Sequence, residues 1–251
     1  MKRSFHRALN LMALFTALVV AGVIYFNAEF MQIATANVLL NGVIIGTTMF
    51  GVGLCFFQMF GLVPEYKWLR AYVAGQRKLS LPPVLLRPVA QMLANRPKRI
   101  SASSLNGMLD MILMRFDDAR ESIRYVSNIL IFLGLLGTFW GLILTVGGFA
   151  DLISGLDFSS EMVMESMQAG LGAPLSGMAT AFTSSLLGLG GSLLVGFLAM
   201  QVQVAQNSVY RELEDYLSKH TRVAQVIPQF NLTTQEITKA PQLSEDNLEV
   251  F

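Results

Sequence analysis

Cysteine occurs once in these 251 residues, histidine twice, and charged side chains make up only 14% of the chain. A single thiol, Cys55, cannot close an intrachain disulfide, and His6 and His220 stand too far apart in sequence to give the spacing of a zinc site. No metal and no cofactor are expected. Basic residues are in no surplus either. The chain has 18 Lys and Arg against 17 Asp and Glu, a net charge of +1, and so lacks the global positive charge that a nucleic-acid binder sets against phosphates. What fills the chain is apolar: 53% of its residues are hydrophobic and the mean hydropathy is +0.52. That balance points to a membrane protein.

Crossing ~30 Å of hydrocarbon takes ~20 helical residues, and four uncharged apolar runs are long enough or nearly so: residues 10 to 27, 38 to 63, 125 to 150 and 178 to 202. The first is the shortest and follows Lys2, Arg3 and Arg7, so a cleaved signal peptide is the competing reading, with Ala34-Thr35-Ala36 as a small-x-small site. Its apolar core ends well before that site, which favours a retained span. The basic residues divide unevenly: three lie at the N-terminus, eleven between Pro64 and Arg124, and four after residue 202. Residues 28 to 37 carry only Glu29, and residues 151 to 177 carry Asp151, Asp157, Glu161 and Glu165 with no Lys or Arg. By the positive-inside rule both termini and the long middle segment are expected in the cytoplasm.

The expected fold class is therefore an all-α membrane protein of four transmembrane helices with cytoplasmic helical extensions. Residues 1–63 form two outer-layer helices and 64–124 a cytoplasmic loop. Residues 125–202 form a helix pair around an acidic outer segment, 203–227 a helical extension and 228–251 a disordered tail. Pro82, Pro83, Pro88 and Pro97 favour short helices and turns in the first half of the loop. From Leu105 through Met108, Leu109, Ile112, Phe116, Ala119 and Ile123 the apolar spacing predicts an amphipathic helix running unbroken into the third span. Asp117 with Arg120 and Glu121 with Arg124 are spaced as i, i+3 pairs on it. A similar stripe, Val209, Leu213, Tyr216, His220 and Val223, follows the fourth span up to Pro228. Such stripes suit packing against each other or a neighbouring subunit; contact with a separate cytoplasmic machine is the other reading.

No Asp, Glu, Lys, Arg or His lies within any of the four spans. A chain that relays protons by itself normally holds an ionisable group in the membrane. The intramembrane Asp pair, the Ser and His pair and the His-Glu-x-x-His helix of membrane proteases are missing too, so an enzyme is not expected. The third and fourth spans instead carry small and hydroxylated residues. Gly134, Thr138, Gly141 and Thr145 share one helical face, with Gly137 beside them; Thr180, Ser184, Gly188 and Gly191 share another, next to Ser185 and Ser192. Close helix packing explains such faces. So does a narrow uncharged polar path, in which Thr138, Thr145, Thr180, Thr183, Ser184 and Ser185 serve water or an ion. Both readings fit on different sides of one helix pair. Asn41, Thr47, Thr48 and Gln58 are scattered polar residues of the second span, and Gly42, Gly46, Gly51 and Gly53 suggest close packing there.

The run Leu133-Gly134-Leu135-Leu136-Gly137-Thr138-Phe139-Trp140-Gly141-Leu142 resembles the Leu-Gly-Leu-Leu-Gly-Thr-x-x-Gly signature of the MotA/TolQ/ExbB proton-channel family. Ala181-Phe182-Thr183-Ser184-Ser185-Leu186-Leu187-Gly188-Leu189 resembles its second signature, a hydroxyl residue shortly before Gly-Leu. The likeness covers residues 125 to 205, about a third of the chain. It implies a ring-forming subunit, five per ring, in the bacterial inner membrane, around two copies of a single-span partner of the MotB, TolR or ExbD kind. In that family the partner's transmembrane Asp binds the proton or sodium ion, and its periplasmic domain engages the cell wall or an outer-membrane system. The resemblance assigns Thr138 to the threonine facing that Asp and Ser185 to the second hydroxyl position, with Thr183 or Ser184 as alternatives. Thr180 stands where TolQ and ExbB carry a glutamate, and Pro174 corresponds to a proline before the last span. The four-span plan resembles MotA, the Gly-Thr-x-x-Gly wording TolQ and ExbB. Against this stands a non-conducting membrane scaffold, in which glycines and hydroxyls only pack.

Overall fold

A computed structural model describes residues 2–74, 84–94, 102–156 and 163–220. Seven helices account for nearly all of them: α1 (Lys2–Tyr25), α2 (Asn27–Thr35), α3 (Val38–Val73), α4 (Arg87–Ala94), α5 (Ala102–Gly155), α6 (Val163–Gly170) and α7 (Gly172–His220). There is no strand among the described residues. Helices α1, α3, α5 and α7 are each long and apolar enough to cross a membrane, so the chain is an all-α multi-pass membrane protein. Pro82, Pro83, Pro97, Asp157, Glu161, Val223 and the tail from Pro228 lie outside the described residues.

The antiparallel pair α5 and α7 is the axis of the fold. At ~1.5 Å per residue, its 54 and 49 residues rise about 80 and 75 Å, far more than the hydrocarbon needs. The excess of both helices stands at one end, beside the start of α1, the end of α3, and α4; this is the basic end. Helices α2 and α6 mark the opposite, acidic end. Helix α3 packs against both members of the pair, and α1 packs chiefly on α7.

The amphipathic stripe of the sequence appears as the N-terminal third of α5, continuous with its apolar span. Leu109, Ile112, Phe116 and Ile123 are buried against Val202, Val209, Leu213 and Leu217 of α7. The pairs Arg120–Asp117 and Arg124–Glu121 form at 3.0 and 3.6 Å. Helix α3 begins at Asn37, whose Oδ1 accepts the Leu40 N–H at 3.1 Å, an N-cap that satisfies one orphan donor of the first turn. It does not stop at Pro64. Proline has no N–H for the preceding turn, yet the helix runs nine residues further, because Tyr66 and Leu69 there are buried in the basic-end core.

Candidate functional site

The faces of small residues on α5 and α7 meet as an antiparallel seam. A Cβ placed on Gly188 would stand 2.6 Å from the Gly134 Cα and from the Leu130 carbonyl oxygen. One on Gly137 would strike Ser184, and one on Gly141 would strike the Ala181 backbone. Further along, one on Gly177 would lie 2.5 Å from the Thr145 nitrogen, and one on Gly148 2.8 Å from the Pro174 nitrogen. Only glycine lets the two backbones come this close. Gly191 serves a different contact, since its Cβ would strike Thr48 of α3. Beyond the seam, the acidic end opens into a cavity of about 300 Å³ lined by Gly148, Asp151, Ser166 and Gly170 among others.

The hydroxyls expected along a path divide into four groups. Thr145 lies buried in the seam and donates to the Gly141 carbonyl at 2.8 Å. Thr180 and Ser184 turn toward the corner between α2 and α3. Thr180 donates to the Ala36 carbonyl at 3.5 Å, Ser184 to Asn41 Oδ1 at 2.7 Å, and Asn41 in turn donates to the Ile33 carbonyl at 2.8 Å. Asn41, Thr180 and Ser184 are all buried, so this small network ties the fourth span to the second. Thr183 is half-buried and donates to Ala179 of its own helix at 2.8 Å. It shares a stripe with Leu187, Gly190 and Leu194, which face a groove beside α1.

Thr138 and Ser185 form the fourth group. Gly137 faces Ser184 across the seam, and α3 covers that edge through Leu40 against Gly137 and Asn41 against Ser184. One residue further on each helix turns about 100° round its axis, and because the helices are antiparallel both turns lead to the same edge. Thr138 and Ser185 therefore stand at one level on the edge away from α3. Both are half-buried. Leu135 and Leu142 of α5 and Phe182 and Leu189 of α7 flank them, all exposed. The Thr138 hydroxyl donates to the Leu135 carbonyl at 2.6 Å, which leaves its oxygen lone pairs as acceptors. The result is a polar level on an otherwise apolar edge that, among the described residues, no other helix covers.

Two polar sites carried no expectation from the sequence. One is Asn41, an amide within an apolar span, where a buried polar group needs a partner. The other is Glu65, immediately after Pro64. Its carboxylate is buried, with Oε1 accepting the Val84 and Leu85 N–H groups at 2.6 and 2.8 Å and Oε2 the Leu86 N–H at 3.1 Å. It thereby clamps the start of α4 to the end of α3. Nearby, Arg120 joins α5 to α7 through Gln206 at 2.8 Å and Asn207 at 2.7 Å, and Arg70 stands 3.7 Å from Glu212. Among the described residues no three His, Cys, Asp or Glu side chains gather as a metal site. Compared with known protein families, curated proteins and solved structures, the chain matches none.

Proposed function

We propose that this chain is the ring-forming subunit of an inner-membrane channel complex that couples proton or sodium flow to mechanical work. A single-span partner supplies the ion-binding Asp. The observation that carries the reading is the level of Thr138 and Ser185 on the uncovered edge of the α5–α7 pair. When copies of the chain assemble with these edges inward, five in the arrangement its signature motifs resemble, the two hydroxyls become a polar ring in an apolar wall. A carboxylate entering that ring from a partner helix is costly to bury when charged and far less so when protonated. Thr138, with its hydrogen committed to Leu135, accepts a hydrogen bond from a neutral carboxyl and has no donor for a charged one. Protonation thus changes how the partner fits the ring, and alternating fits at successive subunits drive rotation of one component against the other. The basic end faces the cytoplasm by the charge asymmetry, and the Asp151 cavity stands at the outer mouth, where an acidic surface concentrates cations.

Reconstitution in liposomes with a single-span, Asp-bearing partner tests the reading. Gradient-driven flux is expected only when both chains are present, and Thr138→Val is expected to lower it while the complex still assembles. Unchanged ion-driven work in Thr138→Val would overturn the hydroxyl-ring mechanism. A second reading, a non-conducting scaffold, draws on the hydroxyls of Thr145, Thr180 and Ser184, all of which are spent on contacts within the chain. It predicts no gradient-dependent flux with any partner.

A further inference from the structure

On α3 the apolar run of the second span ends at Val63, and Glu65 lies ~3 Å beyond it at ~1.5 Å per residue. The headgroup layer on each side of the hydrocarbon is ~5–7 Å deep, so Glu65 stands within it. Tyr66, Trp68 and Tyr72 follow at once, residue types enriched at that level. A helical Cα–Cβ bond tilts toward the helix N-terminus, which for α3 is the acidic end, so the Glu65 side chain leans back toward the hydrocarbon. The N–H groups of Val84, Leu85 and Leu86 stand 2.6, 2.8 and 3.1 Å from its carboxylate oxygens. The start of α4 is thereby held at headgroup depth rather than extending into the water beyond.

What this segment presents there is a cation and an apolar side chain. Leu86 and Val89 turn inward and are buried, while Val84 is 81% exposed and Arg87 is exposed. Among the described residues Arg87 has no ion pair; those that form belong to Arg70, Arg120 and Arg124. Glu65, which holds the segment, has both carboxylate oxygens committed to backbone N–H groups. The surroundings add to the positive charge, since residues 66 to 101 include eight Lys and Arg and no Asp or Glu. A guanidinium at headgroup depth matches a phospholipid phosphate, which it can pair through two N–H groups, and basic juxtamembrane segments are drawn to anionic lipid. A valine beside it suits the boundary between headgroups and acyl chains.

We infer that the start of α4 is a binding site for an anionic phospholipid of the basic-end leaflet, with Arg87 on its phosphate, Val84 at the top of its acyl chains, and the Glu65 carboxylate as the group that positions both. The inference needs only that the chain spans the membrane and does not depend on ion conduction. Val84 gives the test its handle, because an exposed side chain can be replaced by Val84→Cys and labelled, while the native thiol, Cys55, is buried. Ser218 is exposed near the end of α7, about 24 Å of helix beyond the fourth span, which makes Ser218→Cys the control.

The full chain, carrying a fluorophore at one of the two positions, is reconstituted in phosphatidylcholine vesicles with increasing fractions of phosphatidylglycerol or phosphatidylcholine spin-labelled near the top of the acyl chain, and quenching is measured. At position 84 spin-labelled phosphatidylglycerol is expected to half-quench at about one-fifth of the fraction needed with phosphatidylcholine, the fivefold preference that ~1 kcal/mol from one basic residue near the surface gives. The label at position 218 is expected to be quenched by neither. Arg87→Gln should bring the two lipids to equal effect, and Glu65→Gln should weaken quenching at position 84 by both, with helicity retained in each variant. No quenching at position 84, equal quenching by the two lipids when Arg87 is present, or a preference that survives Arg87→Gln overturns the lipid site. So does relief of the phosphatidylglycerol quenching by inorganic phosphate but not by chloride at equal ionic strength, which would assign Arg87 to a soluble phosphate. Unchanged quenching in Glu65→Gln overturns the positioning role of Glu65.

Discussion

Around Phe116 and Leu213 the α5–α7 pair is held by large side chains, all nearly inaccessible and continuous with Phe5, Met59 and Leu69 from α1 and α3. Further along the same two helices, around Gly134 and Gly188, almost nothing but backbone lies between them. The difference follows from the solvent. At the basic end the helices leave the hydrocarbon for water, so burying apolar side chains drives their association. Inside the membrane lipid is as apolar as leucine and that driving force is missing, so close approach and dispersion contacts hold the pair. One pair of helices thus uses two kinds of cohesion, and substitutions should affect the two stretches by different mechanisms.

The largest effect is expected at the basic end. Phe116→Ala removes a 1% exposed ring and should destabilise the protein by about 3–5 kcal/mol, read as a lower thermal midpoint by circular dichroism in detergent. In the seam the damage comes from addition. Gly188→Ala puts a methyl 2.6 Å from backbone atoms that cannot step aside and should cost about 1–3 kcal/mol. Gly147→Ala, where the methyl meets nothing within 4 Å, should leave the midpoint unchanged or raised. Equal behaviour of the two glycine variants would break the contrast between the stretches.

Buried polar groups extend the comparison. Glu65→Gln keeps the shape of the side chain but replaces one acceptor with an amide donor against the N–H groups it now receives. It should cost about 1–3 kcal/mol, with faster hydrogen exchange confined to the start of α4. The Glu65 contact illustrates where the sequence was readable and where it was not. The continuity of α5 could be read because its stripe from Leu105 to Ile123 runs without a breaker into an uncharged span. The seam could be read in part, since Gly134, Gly137, Gly141 and Gly188 recur at helical spacing; its continuation through Gly177 and Pro174 belongs to a stretch whose acidic residues suggested only an outer segment. Glu65 was unreadable because its acceptors' partners are backbone N–H groups some twenty residues away, which no side-chain pattern records. Pro64 reinforced the miss by marking a boundary that the packing of Tyr66 and Leu69 carries the helix across.

The smallest structural effect is expected at the residue on which the proposed function turns. Ser184 and Thr138 stand at nearly the same level of the seam, one on the edge covered by α3 and one on the edge left open. Ser184→Ala removes the hydroxyl that Asn41 Oδ1 accepts from in a fully buried site, leaving that oxygen without its partner at a cost of about 1–3 kcal/mol. Thr138→Val removes a hydroxyl bonded only to the preceding turn of its own helix and keeps the β-branched shape. Its stability change should stay within about 0.5 kcal/mol, the range of substitutions that leave buried contacts intact. The two variants are expected to separate the roles of neighbouring hydroxyls: lower stability in Ser184→Ala with flux per assembled complex preserved, and full stability with reduced flux in Thr138→Val. If Thr138→Val instead lowered the thermal midpoint as far as Ser184→Ala does, Thr138 would be a packing residue like the other, and the two edges of the seam would not differ in kind.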